Sequence, residues 1–462
     1  MLFSSPLFIF IFLPAALALY FLSPRAWRNT TLFVVSLVFY AWGEPAAVFI
    51  ILASAILDFY LGSLVKRPGT QGAYWLALGV SANIGLLIFY KYTNFFISTI
   101  EPISGPLPHL NVILPLGISF IVFEKITYLV DIRRGVGRQA ANIRDYFMFV
   151  FLFPKILAGP IVKYHEIEGY LKERTTDWDE RFWGLLRFLW GLGRKILIAD
   201  VCAEVVDKIF GLPAGSIGFS TAWIAIIAFT TQIYFDFAGY SDMAIGLAQV
   251  FGFKLRENFN NPYASANFSE FWRRWHISLQ TWIMQYLYVP LGGNRRGHIR
   301  TYINLWICFL LSGLWHGAAW NFVLWGAWNG LFLVIDRLFW VRFSERLPRI
   351  VSVALTLPLL MVGWAIFRSH GMAQLSEVLA ALANPTTPSL FVRIQAHQIA
   401  AIVIGLGGSL LVASPQLQQA RMAVWASPSG RAFTAAAIIL LGAIAVEKAV
   451  TVAFNPFLYF RF

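Results

Sequence analysis

Apolar stretches near 20 residues recur from Leu7 to Val452 of this 462-residue chain, and no other feature limits its fold so strongly. A helix needs about 20 apolar residues to cross a hydrocarbon core about 30 Å thick. Only 13% of the residues are charged, roughly half the share of about 25% typical of soluble domains. So few charges cannot clothe a water-exposed surface on a chain this long. The 18 Trp and 17 Tyr suit two interfacial belts. The expected class is an all-α polytopic membrane protein.

The net charge of +13 does not point to nucleic acid, because the basic residues sit in short clusters between apolar runs. That is the pattern of cytoplasmic loops beside anionic lipid. Cys202 and Cys308 are isolated, without CxxC spacing, so neither a disulfide framework nor a metal site is expected. No Lys or Arg precedes Arg25, and the first apolar run is expected to be a retained anchor.

Five spans are expected at about 5–22, 31–43, 46–64, 73–97 and 111–130. The joints after the first, third and fifth are basic: Arg25 and Arg28, then Lys66 and Arg67, then Arg133, Arg134, Arg138 and Arg144. The joints between carry none, which puts the basic joints in the cytoplasm and the N-terminus outside. The apolar segment 146–160 carries Pro154, Lys155, Gly159 and Pro160, which break a helix. It can lie at membrane depth only if buried in protein or lining a cavity. Further spans are expected at about 182–210, 219–252, 301–318, 319–336, 350–368, 397–414 and 432–452, with polar stretches at 165–181 and 253–300. This makes about twelve crossings in one membrane domain, with N-terminal spans 1–145, an irregular core 146–340 and C-terminal spans 341–462. Lys448 and Arg461 leave the side of the C-terminus open.

Three segments hold polar residues that a lipid-facing helix would not tolerate. In the first, Gln232, Asp236 and Tyr240 recur at i, i+4 and i+8 on one face, with Asp242 turned away. These residues either brace the interior or touch substrate. The second runs from Asn267 to Pro290. Phe268, Trp272, Trp275, Leu279, Trp282, Ile283 and Tyr286 give it the spacing of one amphipathic helix, with His276 a turn from Trp272 and Gln280. The third places His316 within an apolar run between Trp315 and Trp320, with the small residues Ser312, Gly313 and Gly317 nearby. Either histidine could be a hydrogen-bonded packing residue or a functional one. His109, His165, His298, His370 and His397 fall in loops or at segment ends, where a solvated role is expected.

Several ordered motifs carry a resemblance. They are Leu114-Pro-Leu-Gly-Ile-Ser-Phe120, Phe153-Pro-Lys-Ile-Leu-Ala-Gly-Pro160, Gln232 to Met243, Glu270-Phe-Trp-Arg-Arg-Trp-His276-Ile-Ser-Leu279, Leu291-Gly-Gly-Asn294 and Gly313-Leu-Trp-His-Gly317. On these the chain resembles the membrane-bound O-acyltransferases, in the bacterial branch that acetylates alginate, from Leu2-Phe3-Ser4-Ser5 to the terminal Phe457 to Phe462. The resemblance implies a ring of about 11–12 helices, some broken, around a central tunnel. It implies His316 as the catalytic histidine and His276 as the second characteristic one.

It also implies transfer of an acetyl group from a cytoplasmic thioester, acetyl-CoA, to hydroxyls of an exported polysaccharide, directly or through an extracytoplasmic partner, at the bacterial inner membrane. No bound cofactor or metal is expected. His316 would take the hydroxyl proton, with Trp side chains or Asn321 as donors to the oxyanion. Arg273, Arg274, Arg295 and Arg296 either attract donor phosphates or are ordinary cytoplasmic charges. Ser312, one turn from His316, is the only nearby hydroxyl for an acyl-enzyme. Two rivals stay open: D-alanyl transfer from a carrier protein to teichoic acid, and a non-enzymatic transporter of donor or glycan.

Overall fold

The helices follow from what the sequence forbids, since an apolar run in lipid must satisfy its own backbone hydrogen bonds. In a computed structural model, residues 1–174 and 176–451 are described, and they are helical with no strand among them. The motif at Phe457 to Phe462, together with Val452 and Arg461, lies outside the described residues. Among the described residues, six helices are long and apolar enough to cross a membrane: Pro45–Val65, Gly69–Ser104, Phe219–Val250, Trp320–Ser344, Arg349–Arg368 and Pro428–Thr451. A seventh candidate is the pair Ala396–Leu411 and Pro415–Ala426, bent by 91°. The other expected crossings fall on helices that are shorter, interrupted or, like the 20-residue Gly297–His316, less apolar. Gly371–Ala383 and Pro415–Ala426 are helices that the hydropathy pattern did not reveal. Six stretches widen to π-turns, among them Ile88–Tyr92, Arg194–Ala199 and Met284–Tyr288.

The described residues pack as two compact units, one within Met1–Phe188 and Ser241–Arg256, the other within Leu189–Tyr240 and the described residues from Glu257 to Thr451. In the first unit, the span expected from residue 111 begins only at Ile118. Pro115 and a left-handed Gly117 (φ 73°) hold the preceding chain extended, and a side chain at Gly117 would collide with the Ile156 carbonyl. The helix Ile143–Phe151 stops at Leu152, and Phe153–Ile156 adds a single turn, as Pro154 foretold. Every residue from Tyr146 to Tyr164 is buried except the half-buried Phe147, so this broken backbone is sheathed in protein.

Buried charges pin that segment. Lys155 pairs with Glu124, whose other oxygen accepts the Val162 N–H at 3.1 Å. Beside it, Lys125 pairs with Asp58 at 3.1 Å, and the Asn83 amide donates to both Asp58 oxygens at 2.9 and 3.1 Å. Unpaired, such groups would be intolerable at this depth.

Candidate active site

The segment Asn267 to Pro290 is not one helix. It forms Phe268–Arg274 and Ile277–Ile283, broken at His276, whose backbone is left-handed (φ 43°). The cause lies outside the segment. Asn260 N–H donates to the Arg274 carbonyl and Ile277 N–H to the Asn258 carbonyl, each at 2.9 Å, so a neighbouring loop captures the backbone groups a helix would have used. His276 therefore does not sit a helical turn from Trp272, although its carbonyl still accepts the Gln280 N–H at 3.1 Å, one turn on.

The break turns the His276 side chain inward, with 0% exposure. Its Nδ1 lies 3.2 Å from Asn258 Oδ1. The same oxygen accepts the Ser278 N–H at 3.2 Å and the Ser278 hydroxyl at 2.9 Å. A backbone N–H can only donate, so this atom of Asn258 is the oxygen and His276 Nδ1 must carry a proton. The lone pair then resides on Nε2. Burial pushes the imidazole down to about 3, so it is neutral near pH 7.

His316 ends the helix Gly297–His316 and is 5% exposed. Gly313 and Gly326 form the seam with the next helix, Trp320–Ile335: a methyl at Gly313 would strike the Phe322 carbonyl, and one at Gly326 the Phe309 carbonyl. This close approach fixes His316 through backbone rather than side chains. Its ring packs against Trp315 (centroids 4.9 Å), Trp325 (4.9 Å) and Phe367 (5.4 Å). Trp320, expected to be the second wall, is 53% exposed. The helix ends at His316, and the extended Gly317 carries Trp320 away from the next-turn position. Trp325 and Phe367 stand there instead.

Trp315 joins the two histidines, since its indole also lies 6.2 Å from the His276 ring. Phe237 meets His276 edge-on at 4.6 Å. Sequence reasoning missed Asn258, Phe237, Trp325 and Phe367, because each reaches the site from a distant segment without a periodic signal.

The other expected site residues are placed as follows. Asp236 pairs with Lys195 at 3.0 Å, and Lys195 also reaches Asp200 at 2.5 Å. Asp242 receives Arg187 at 2.9 Å. Tyr240 is buried. Arg273 is exposed, while Arg274 pairs with Glu270 at 2.9 Å and donates to the Asn260 carbonyl at 3.1 Å. Asn321 donates its amide to the carbonyls of Phe367 (3.4 Å) and Ser369 (3.2 Å), so it serves as a tie between helices rather than a donor to an oxyanion. Ser312 Oγ is buried and makes no hydrogen bond among the described residues, the His316 imidazole included. Cys202 and Cys308 are buried free thiols.

Residues 130–354, which contain both histidines, match the profile of the MBOAT, membrane-bound O-acyltransferase family. The whole chain is 38% identical to the whole of a probable alginate O-acetylase of Azotobacter vinelandii. The chain belongs to the membrane-bound O-acyltransferase family. It is 35% identical to a peptidoglycan O-acetyltransferase of Helicobacter pylori, over 84% of this chain and 81% of that protein. With a teichoic acid D-alanyltransferase of Bacillus subtilis the identity is 27%, over 63% and 80%. As an O-acyltransferase in a multi-pass membrane fold, the chain needs a base that reaches a hydroxyl away from bulk water. Within the matched residues, two buried histidines share one indole.

Proposed function

We propose that this enzyme moves an acetyl group from a cytoplasmic thioester, acetyl-CoA, to hydroxyls of an exported polysaccharide of the alginate kind at the bacterial inner membrane, directly or through an extracytoplasmic partner. The observation that supports this is the packing of His276 and His316 against Trp315. A sugar hydroxyl is a weak nucleophile near neutral pH and needs a positioned base. His316 accepts the hydroxyl proton as the oxygen attacks the thioester carbonyl. The C–O bond forms, the C–S bond breaks, and the proton passes to the departing thiolate. His276, with its lone pair on Nε2, assists on the donor side. Trp272 packs on Trp325 at 5.6 Å, and its buried Nε1–H meets no acceptor among the described residues. Of the expected oxyanion donors, Trp side chains or Asn321, that indole takes the role.

Acetyl is favoured over D-alanyl because the alginate O-acetylases are similar along their full length, whereas the D-alanyltransferase likeness is weaker and shorter. The test is purified enzyme in lipid nanodiscs with labelled acetyl-CoA and an oligouronate. Labelled ester and free thiol are expected from the wild type and neither from His316→Ala. Consumption of a D-alanyl carrier instead, or label crossing a vesicle membrane without ester formation, would replace this reading.

A further inference from the structure

A cavity of about 1000 Å³ opens in the first unit, remote in sequence from both histidines. Its walls come from Tyr20 and the joint after the first span, from residues 144–145, and from residues 170–174, 176, 177 and 181. Six basic side chains line it (Arg25, Arg28, Arg144, Lys172, Arg174 and Arg181) against three carboxylates.

Lys172 pairs with Glu168 at 2.9 Å and Arg144 with Asp145 at 3.6 Å, while the other four form no salt bridge among the described residues. Arg174 donates to the Tyr170 carbonyl at 3.1 Å and the Asn29 side-chain oxygen at 2.6 Å, and Arg181 to the Thr176 carbonyl at 3.2 Å. These acceptors are neutral, so they orient the guanidiniums without removing their charge. Tyr20 gathers two of them, Arg28 at 5.4 Å and Arg174 at 5.9 Å from its ring, while Phe21 carries Arg181 at 5.0 Å. The Arg28 Nε is buried and has no acceptor among the described residues. Burial, then the nearby Arg28 and Arg174 charges, pull the Arg181 guanidinium below its ordinary value, with Tyr20 and Asp177 opposing. Like charges held this closely repel, and an anion among them relieves that repulsion.

We propose that this cavity is a binding site for a phosphate-bearing ligand. Planar guanidinium forks match phosphate oxygens in pairs, and the volume admits more than a bare ion. The ligand comes from one of two sources: the headgroup of an anionic phospholipid, or the nucleotide phosphates of a soluble thioester donor. The second source rests on the donor assigned above.

Two probes separate these sources. Native mass spectrometry measures phosphatidylglycerol retained by enzyme released from nanodiscs that also contain phosphatidylcholine. Calorimetry measures adenosine 3′,5′-bisphosphate binding to the same enzyme in phosphatidylcholine nanodiscs. Binding of at least one probe is expected, weakened about tenfold or more by Arg28→Gln and by Arg174→Gln. The probe whose binding falls identifies the source. Because Arg174 also ties Asn29, the variant of exposed Arg25, Arg25→Gln, is the control that leaves the scaffold intact; a severalfold loss is expected there as well. Neither probe binding, or binding that none of the three variants changes, overturns the proposal. Acetyl transfer is assayed separately, so failure of the proposed reaction while a probe still binds counts against that reading alone.

Discussion

Asn258 Oδ1 stands 3.2 Å from Nδ1 of His276, and the Ser278 N–H fixes which face of the amide is presented. Replacing Asn258 with Ala should deprive three buried donors, the His276 Nδ1–H and the Ser278 N–H and hydroxyl, of this acceptor, at about 1–3 kcal/mol for each one left unsatisfied. It should also lower kcat roughly ten- to a hundredfold by freeing the histidine tautomer. Asn258→Asp keeps the acceptor and should recover much of that rate, with a pH profile moved to higher pH by the added carboxylate. Steady-state ester formation between pH 5 and 9 tests both. Equal rates in the Ala and Asp variants would remove Asn258 from a positioning role.

His316→Ala should lower ester formation by about 10²–10⁴-fold while the purified protein keeps its melting temperature to within a few degrees. Ser312→Ala should retain most activity and accumulate no less labelled enzyme than the wild type, because Ser312 makes no bond to the base. Rapid-quench assays with labelled thioester compare the two. A covalent adduct on Ser312 would reverse the assignment.

The buried His276 gives stability a pH dependence of known sign. Its folded value is about 3 against an ordinary 6.5, so the unfolded chain binds the extra proton between those limits. The contribution is complete above pH 6.5 and erodes as pH falls towards 3, by on the order of 5 kcal/mol at the acid end. Thermal midpoints of wild type and His276→Gln, measured from pH 8 to pH 4, should converge as pH falls. Parallel curves would show that the imidazole is not held neutral.

The Asp58–Lys125 pair is 0% and 1% exposed in its side chains. Lys125→Met alone should destabilise by about 3–5 kcal/mol, since a buried carboxylate loses its counter-charge. Asp58→Asn combined with Lys125→Met should restore most of that loss. Melting curves of the single and double variants decide it, and an additive double variant would mean that the two charges do not depend on each other.

The apolar lengths made the membrane class and most helix positions legible, and Pro154 with Gly159 marked a real break. The motif context brought His276 and His316 forward before any geometry was known. What stayed hidden was set by partners far away in the chain. The helix through His276 fails because Asn258 and Asn260 take its backbone groups, and local periodicity carries no record of that. Trp320 would wall the site in a continuous helix, but the helix ends at His316, four residues short of it. Asp236 and Asp242 read as interior carboxylates, but only the fold names Lys195 and Arg187 as their counter-charges.

The wide turn at Arg194–Ala199 carries Lys195 to Asp236 and Asp200. A π-turn holds one residue more than an ordinary turn. Excising a single residue there would leave a continuous, equally apolar helix, yet swing every later side chain by about 100° around the axis. Cys202 and its neighbour Val201, which now pack against Ala401, would be rotated off that contact. The sequence in this stretch therefore encodes phase as much as chemistry, and a deletion that hydropathy would score as silent should be among the most damaging lesions the chain can carry.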